Sequence, residues 1–348
     1  MIKYFLLPFS WLYGFITDVR NYLYDKGLWK SQSFNIPIIN VGNITVGGTG
    51  KSPQVEYLIR LLKDNHKIVT LSRGYGRKTK GFRWASDTEN AETIGDEPMQ
   101  FYQKFGKEVS VAVGEKRVEA IEQILSQKSD TQLIILDDAF QHRAVKPNLN
   151  ILLMDYNRPM DEDYPFPAGR LRERIHGAKR ADLLVITKCP NNLNLEEQNL
   201  LKNRLKPHLK ENTPVLFTEI LYGEPIDCRC ESKILSNNKP VFVISAIAQS
   251  EPFEDYVKQY FKLLSHLIFK DHHSFSEKDI LLILSNMPNT AEAILMTEKD
   301  MVKFKPLLGH ELLKDITIFY VPIEVDFLNK NDRLIFDTLV HNKVCSKP

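Results

Sequence analysis

The run Thr45-Val46-Gly47-Gly48-Thr49-Gly50-Lys51-Ser52 joins three glycines to a lysine and a hydroxyl. Those residue types at that spacing suit the holding of phosphate; three glycines, Lys-Ser and the flanking pattern together weigh against the alternative, a glycine-rich turn that merely precedes Lys-Ser. Glycines let the backbone curl so that its N–H groups face phosphate oxygens. The lysine neutralises β/γ charge, and the serine hydroxyl is placed to ligate Mg²⁺. An apolar, β-rich stretch ending at Val41 precedes the run, and an amphipathic stretch, Pro53 to Leu62, comes after it. Strand, glycine loop, Lys-Ser and helix is the order of a phosphate-binding P-loop; Thr45 stands where a first glycine is usual.

Further groups of reactive residues close other apolar runs. Leu133-Ile134-Ile135-Leu136-Asp137-Asp138 reads as a buried strand that ends in two acids. Acids at a strand tip beside such a loop hold Mg²⁺ directly or through water; the alternative is a turn in which Asp caps the next element. Gly95-Asp96-Glu97-Pro98 puts two acids where a helix begins. Asp96 either caps that helix or, if the turn faces the γ-phosphate, takes part in catalysis. Thr187-Lys188-Cys189-Pro190 stands where a guanine-reading NKxD box would be, but Pro190 replaces the acid, which argues against GTP. An ordinary strand-to-loop exit explains that segment equally well. Arg170, Arg172, Arg174, Lys179 and Arg180 crowd around Glu173, after the rigid Pro165-Phe166-Pro167-Ala168-Gly169. Guanidinium forks match phosphate oxygens, although a charge run is most often a solvated face. Ser72-Arg73-Gly74-Tyr75-Gly76-Arg77-Lys78 is a second basic loop open to the same two readings. Asp271-His272-His273 comes after another apolar run. Adjacent histidines do not easily converge on one ion from a single strand. A histidine oriented by an acid for proton transfer therefore competes with plain surface histidines.

These residues need a frame that brings them together. Strand-like runs at 36–43, 67–71, 109–113, 132–136, 149–154 and 182–187 alternate with helical patterns at 51–64, 96–105 and 115–128. The alternation predicts βαβ units, that is, an α/β fold with a parallel sheet and helices on both faces. Ligands of such sheets sit at the carboxyl ends of the strands. The pattern breaks near 221–240, and apolar runs resume at 241–244, 267–269, 294–296 and 316–321. The expected division is an N-terminal helical segment at 1–30, a P-loop domain at 31–222 and a smaller α/β domain at 223–348. With 348 residues, 43% hydrophobic and 26% charged, the chain can build two cores and shows no sign of disorder. A net charge of +2 does not point to nucleic acid. Cys189, Cys228, Cys230 and Cys345 form no CxxC pair, which fits reduced cytoplasmic thiols rather than zinc or disulfides. No small-residue cleavage site comes after the apolar start, so no secretory signal is expected.

That start is unusual. Tyr4 to Thr17 carries no charge, and its fourteen residues fall short of a membrane span, for which a helix needs ~20. Ile2, Phe5, Leu6, Phe9, Leu12, Tyr13 and Ile16 recur on one side of a helix. Lys3, Arg20, Lys26 and Lys30 lie around it. Aromatics with flanking cations suit a helix lying in a membrane interface; a helix docked on the protein's own core fits the pattern equally.

As an ordered set, these motifs resemble the tetraacyldisaccharide 4′-kinase (lipid A 4′-kinase) family. The resemblance is carried by Leu7 to Gly14, Val41 to Pro53, Ser72 to Gly76, Gly95 to Pro98, Asp137 to His142, Pro167 to Glu173, Asp271 to His273 and Met296 to Asp300. Thr45 is usual for that family, whereas Ala139-Phe140 stands where Gly-Leu is more common. The resemblance implies a peripheral enzyme on the cytoplasmic face of the inner membrane. It would transfer the ATP γ-phosphate to the 4′-hydroxyl of a tetraacylated glucosamine disaccharide 1-phosphate, making lipid IVA. It implies ATP and Mg²⁺, a lipid substrate, a membrane surface, no nucleic acid and a monomeric chain. Residues 45–52 would hold the nucleotide, with Lys51 also catalytic, and Ser52, Asp137 and Asp138 would hold Mg²⁺. Asp96 and His272 become the proton-transfer dyad, and Arg172 and Glu173 further active-site residues. Two choices stay open: His272 against His273, and which of Asp137, Asp138 and Glu97 contacts the metal.

Overall fold

A computed structural model describes residues 2–229 and 233–345. Cys230, Met1 and the side chains of Ile2 and Lys3 lie outside the described set. The chain opens with α1 (Ile2–Asp25), β1 (Ile38–Gly42), α2 (Lys51–Leu62), β2 (Ile68–Ser72), β3 (Arg83–Trp84), α3 (Ala91–Ile94) and α4 (Asp96–Phe105). It continues with β4 (Ser110–Val113), α5 (Arg117–Gln127), β5 (Leu133–Asp137), β6 (Leu149–Asp155), β7 (Leu183–Thr187), α6 (Leu195–Leu205) and β8 (Val215–Tyr222). A second run holds β9 (Ile226–Asp227), β10 (Pro240–Ser245), α7 (Glu251–Tyr260), β11 (Lys262–Ile268), α8 (Glu277–Asn286), β12 (Ala293–Thr297), α9 (Glu298–Phe304) and β13 (Ile318–Val321). β14 (Ile323–Phe327) and α10 (Lys330–Cys345) close the described chain.

Nine strands form the larger sheet in the order β14-β8-β7-β6-β1-β5-β2-β4-β3. Its seven central strands run parallel, and β3 and β14 join antiparallel at the two edges. The sheet is therefore mixed rather than purely parallel. Helices cover both faces, as the sequence pattern predicts. Ile39, Val41, Ile151 and Leu153 pack under Val55, Leu58 and Ile59 of α2. On the other face Ile121 and Ile124 of α5 cover Ile38, Val69 and Leu71. Leu152 and Met154 meet Leu205 of α6. Each such side chain contributes about 1.5–3 kcal/mol by leaving water, which explains why β5 and β7 read as apolar runs, while β1 is apolar but for Asn40, which is hydrogen-bonded to Asn150.

The second sheet has the order β11-β10-β12-β13-β9. Strand β11 begins at Lys262 rather than Leu267. It is a half-buried edge strand, so Ser265 and His266 hide its periodicity. The reading of 223–348 as one smaller unit also needs correcting. β14 pairs with β8 of the first sheet, and Phe336 and Val340 of α10 enter the first core. The chain leaves the large sheet, builds the small one and returns. No helix of the described residues is long and apolar enough to cross a membrane.

Candidate active site

Because the seven central strands are parallel, their carboxyl ends meet at one edge, and the loops after β1, β2, β5, β6 and β7 bring residues picked out above. After β1 the chain turns through the glycine loop into α2. Gly50 caps that helix with φ 77°, a left-handed conformation that costs a side-chain-bearing residue more than glycine. No side chain caps α2, so its first-turn N–H groups stay available to an anion. The loop is braced from several directions. Asn43 Nδ2 donates to Thr49 Oγ1 at 2.7 Å, and Thr187 Oγ1 donates to the Thr49 carbonyl at 3.0 Å. Val46 N donates to the Arg170 carbonyl at 2.8 Å, and Arg172 N to the Ile44 carbonyl at 2.7 Å. This ladder, with Thr45 opposite Leu171, lays the arginine-rich segment beside the glycine loop.

The strand-tip acids face that loop. Arg172 Nη1 donates to Asp138 Oδ1 at 2.7 Å, and Lys51 Nζ lies 3.8 Å from the same oxygen. Burial alone would raise the Asp138 carboxyl, but Lys51 and Arg172 outweigh it and hold it below its ordinary range. Asp137 goes the other way. Burial, then the neighbouring Asp138 charge, push it up to about 7, and its Oδ1 is buried without a hydrogen-bond partner. Glu97 adds to that rise, so the start of α4 lies within electrostatic reach of the acids. An orphaned buried carboxylate oxygen beside a second, ionised acid is a donor set that fits a hard divalent cation. Ser52, second residue of α2, supplies a hydroxyl at the same edge.

Asp96 does not cap its helix. Gly95 is the cap residue, which leaves the Asp96 carboxylate to reach across to the second unit. There its Oδ2 lies 3.1 Å from His272 Nδ1. The ring of Tyr75, from the basic loop after β2, packs 5.5 Å from the His272 ring. The pair of histidines is thereby separated. His273 stacks on Phe269 at 4.8 Å and points its Nε2 at Asp279, 3.2 Å away. A cleft of about 1000 Å³ opens beside Asp96 and His272, lined also by Tyr75, Tyr102 and Phe275.

Glu173 is placed differently from its neighbour Arg172. It is buried, and Asn21 Nδ2 (2.8 Å), Gln141 Nε2 (2.9 Å) and Arg180 Nη2 (2.8 Å) occupy both its oxygens. Those partners tie α1 to the arginine segment rather than leaving a free base. Sequence reasoning missed Arg117, the first residue of α5. It is buried, its Nε and Nη2 lack partners, and burial pulls it down to about 10 although Asp137 and Asp138 draw it up. Its position just beyond β4, at the same sheet edge, was the available signal.

An α/β sheet that brings a glycine loop, a lysine and a strand-tip acid pair to one edge, with an acid–histidine contact between the two units, is the frame of a phosphoryl-transfer enzyme. The family model of tetraacyldisaccharide-1-P 4'-kinase matches residues 2–341. A tetraacyldisaccharide 4′-kinase of Flavobacterium johnsoniae is 43% identical over 100% of this chain and 99% of its own. One of Bacteroides thetaiotaomicron is 40% identical over 95% of this chain and 91% of its own. The crystal structure of LpxK from Aquifex aeolicus in complex with ATP superposes with TM-score 0.77 and 30% identity, covering 99% of this chain and 100% of that one. The chain belongs to the tetraacyldisaccharide 4′-kinase family and is a kinase.

Proposed function

We propose that the chain transfers the γ-phosphate of ATP to the 4′-hydroxyl of a tetraacylated glucosamine disaccharide 1-phosphate at a membrane surface. The observations that carry this reading are the Lys51–Asp138–Arg172 cluster beside the glycine loop and the Asp96–His272 contact, with Glu97, next to Asp96, within electrostatic reach of Asp137.

Residues 45–52 act as a P-loop, with Lys51 and the first-turn amides of α2 on the β- and γ-phosphates. Ser52 and Asp137 would hold Mg²⁺, with Asp138 or Glu97 completing the set. The ion offsets charge on the phosphate oxygens when bound. Arg172 keeps Asp138 ionised and turned toward the loop. Asp96 accepts the proton of the attacking sugar hydroxyl, and His272 orients and stabilises that carboxylate. Because Asp96 and His272 come from different sheets, the dyad exists only when the two units meet.

The exposed aromatics of α1 meet the acyl chains, which makes the enzyme peripheral to the membrane; a cytoplasmic-face location and a monomeric chain belong to the same proposal. A transfer assay with radiolabelled ATP and lipid, soluble-sugar and water acceptors tests the reading. Label in the lipid supports it. Label in inorganic phosphate alone points to a nucleotide switch, and label in a soluble sugar to a different kinase.

A further inference from the structure

Lys188 stands in the Thr187-Lys188-Cys189-Pro190 segment, for which the transfer mechanism gives no role. Its ammonium has three N–H donors, and the structure gives each one acceptor. Lys188 Nζ donates to the Gly48 carbonyl of the glycine loop, to Asp155 Oδ2 at 2.9 Å and to Gln249 Oε1 at 2.9 Å. These acceptors come from three places: the nucleotide loop, the tip of β6, and the segment after β10 in the second sheet. The backbone of Lys188 is left-handed, φ 57°, a conformation that costs a lysine about 1 kcal/mol or more. Asp155 is 2% exposed, so its carboxylate is buried against this ammonium.

We infer that Lys188 is a positioning residue that holds the glycine loop in its phosphate-binding shape and ties that shape to the second unit through Gln249. A carbonyl of the loop must turn outward for neighbouring amides to turn inward, and the ammonium holds Gly48 in that sense. Asp155 anchors the ammonium to the rigid sheet. Gln249 is the one acceptor that moves with the second unit, so withdrawal of that unit releases a donor and loosens the loop. By linkage, nucleotide binding then favours the placement that also brings His272 to Asp96. The inference rests on the nucleotide site proposed above.

The test measures binding of a non-hydrolysable ATP analogue with Mg²⁺ to the full chain by calorimetry, beside KM values for ATP and lipid. Gln249→Leu removes the bridge but keeps the Lys188–Asp155 pair. It should raise the analogue Kd and the KM for ATP by about 3- to 10-fold, as expected for a partly exposed hydrogen bond to a charge. The KM for lipid should stay within about twofold. Gln249→Glu keeps an acceptor and should retain wild-type Kd, whereas Gln249→Met, which fills a similar volume without an acceptor, should weaken binding as Leu does, a loss that a merely space-filling role would not give. Lys188→Met should weaken binding further, with little added when combined with Gln249→Leu. An unchanged Kd in folded Gln249→Leu, or fully multiplicative losses, overturns the inference. Because the analogue assay needs no acceptor, a wild-type chain that binds nucleotide but labels no lipid would sink the functional reading alone.

Discussion

At the scale of single residues, charge placement decides what each acid can do. Asp138 is held ionised by Lys51 and Arg172, whereas Asp137, one residue earlier, is pushed up to about 7 by burial and by Asp138. Removing Lys51 strips charge from the proposed phosphate site but touches no core, so Lys51→Ala should lower kcat by roughly 10²–10³-fold with an unchanged melting temperature. Near-normal turnover in that variant would remove the nucleotide-site assignment. For the dyad, Asp96→Ala and His272→Ala should each lower kcat by about 10²–10⁴-fold, and the double variant should be little worse than the worse single. Fully multiplicative losses would show two independent residues. His142 gives a pH dependence of stability. Burial, then the nearby Arg117, pull it down from 6.5 to about 4. Between those values the unfolded chain binds the proton and the folded chain does not, so stability rises with pH across that window. The contribution is at most about 3 kcal/mol, and it is lost as pH falls from about 6.5 to about 4. Urea melts at pH 4.5 and 7 should show a smaller difference for His142→Gln than for wild type.

At the scale of elements, α1 shows two faces. Ser10, Gly14, Thr17 and Asn21, at helical spacing, are buried against the first unit. Ser10 Oγ accepts from Ala168 N at 2.8 Å, and Tyr13 Oη donates to the Arg172 carbonyl at 2.9 Å. Small and polar residues dock together with Tyr13, while other large apolar residues face outward: Phe5 is 82% exposed, and Phe9, Leu12, Phe15 and Ile16 are exposed with it. A contiguous exposed apolar face on an anchored helix is a surface that another apolar phase covers. Phe5→Ser with Phe9→Ser should lower partition onto phospholipid vesicles by roughly tenfold or more per residue, leaving the melting temperature unchanged. Ser10→Leu should do the reverse, costing about 1–3 kcal/mol of stability by overpacking. Vesicle sedimentation and thermal melts of both variants decide; equal sedimentation of the Phe variant and wild type would exclude the exposed face as the membrane contact.

At the scale of the whole molecule, buried charge joins the two units. Lys104 of α4 lies 2.7 Å from Glu56 of α2 and 2.8 Å from Glu298 of α9. The Glu56 side chain is 1% exposed, and Gln100 Nε2 also donates to it at 2.8 Å. Helices α2 and α4 start at Lys51 and Asp96, so this trio fixes the elements that present both halves of the site to the unit that carries His272. Lys104→Met leaves two carboxylates without their shared partner and should cost about 3–5 kcal/mol in denaturant titration. Adding Glu56→Gln should restore part of that loss; no restoration would mean the lysine acts by packing rather than by charge.

The sequence determined the local pieces, because each is encoded by neighbours in the chain. Strand-long apolar runs gave β1, β5 and β7, and the glycines with Lys51 and Ser52 gave the loop at the start of α2. The 96–105 helix was legible from its pattern, and the ordered motifs carried the family. Left open were the choices set by partners distant in the chain. Asp96 reads as a cap until His272 is found 176 residues away. His272 and His273 are alike until one meets Asp96 and the other stacks on Phe269. Glu173 looks reactive beside Arg172 until three donors from α1, Gln141 and Arg180 occupy its oxygens. The return of β14 and α10 to the first sheet was invisible, because short, half-polar edge strands leave little periodicity. Composition and periodicity act over a turn or a strand; burial and ion pairing act through space, so only the tertiary structure assigned them.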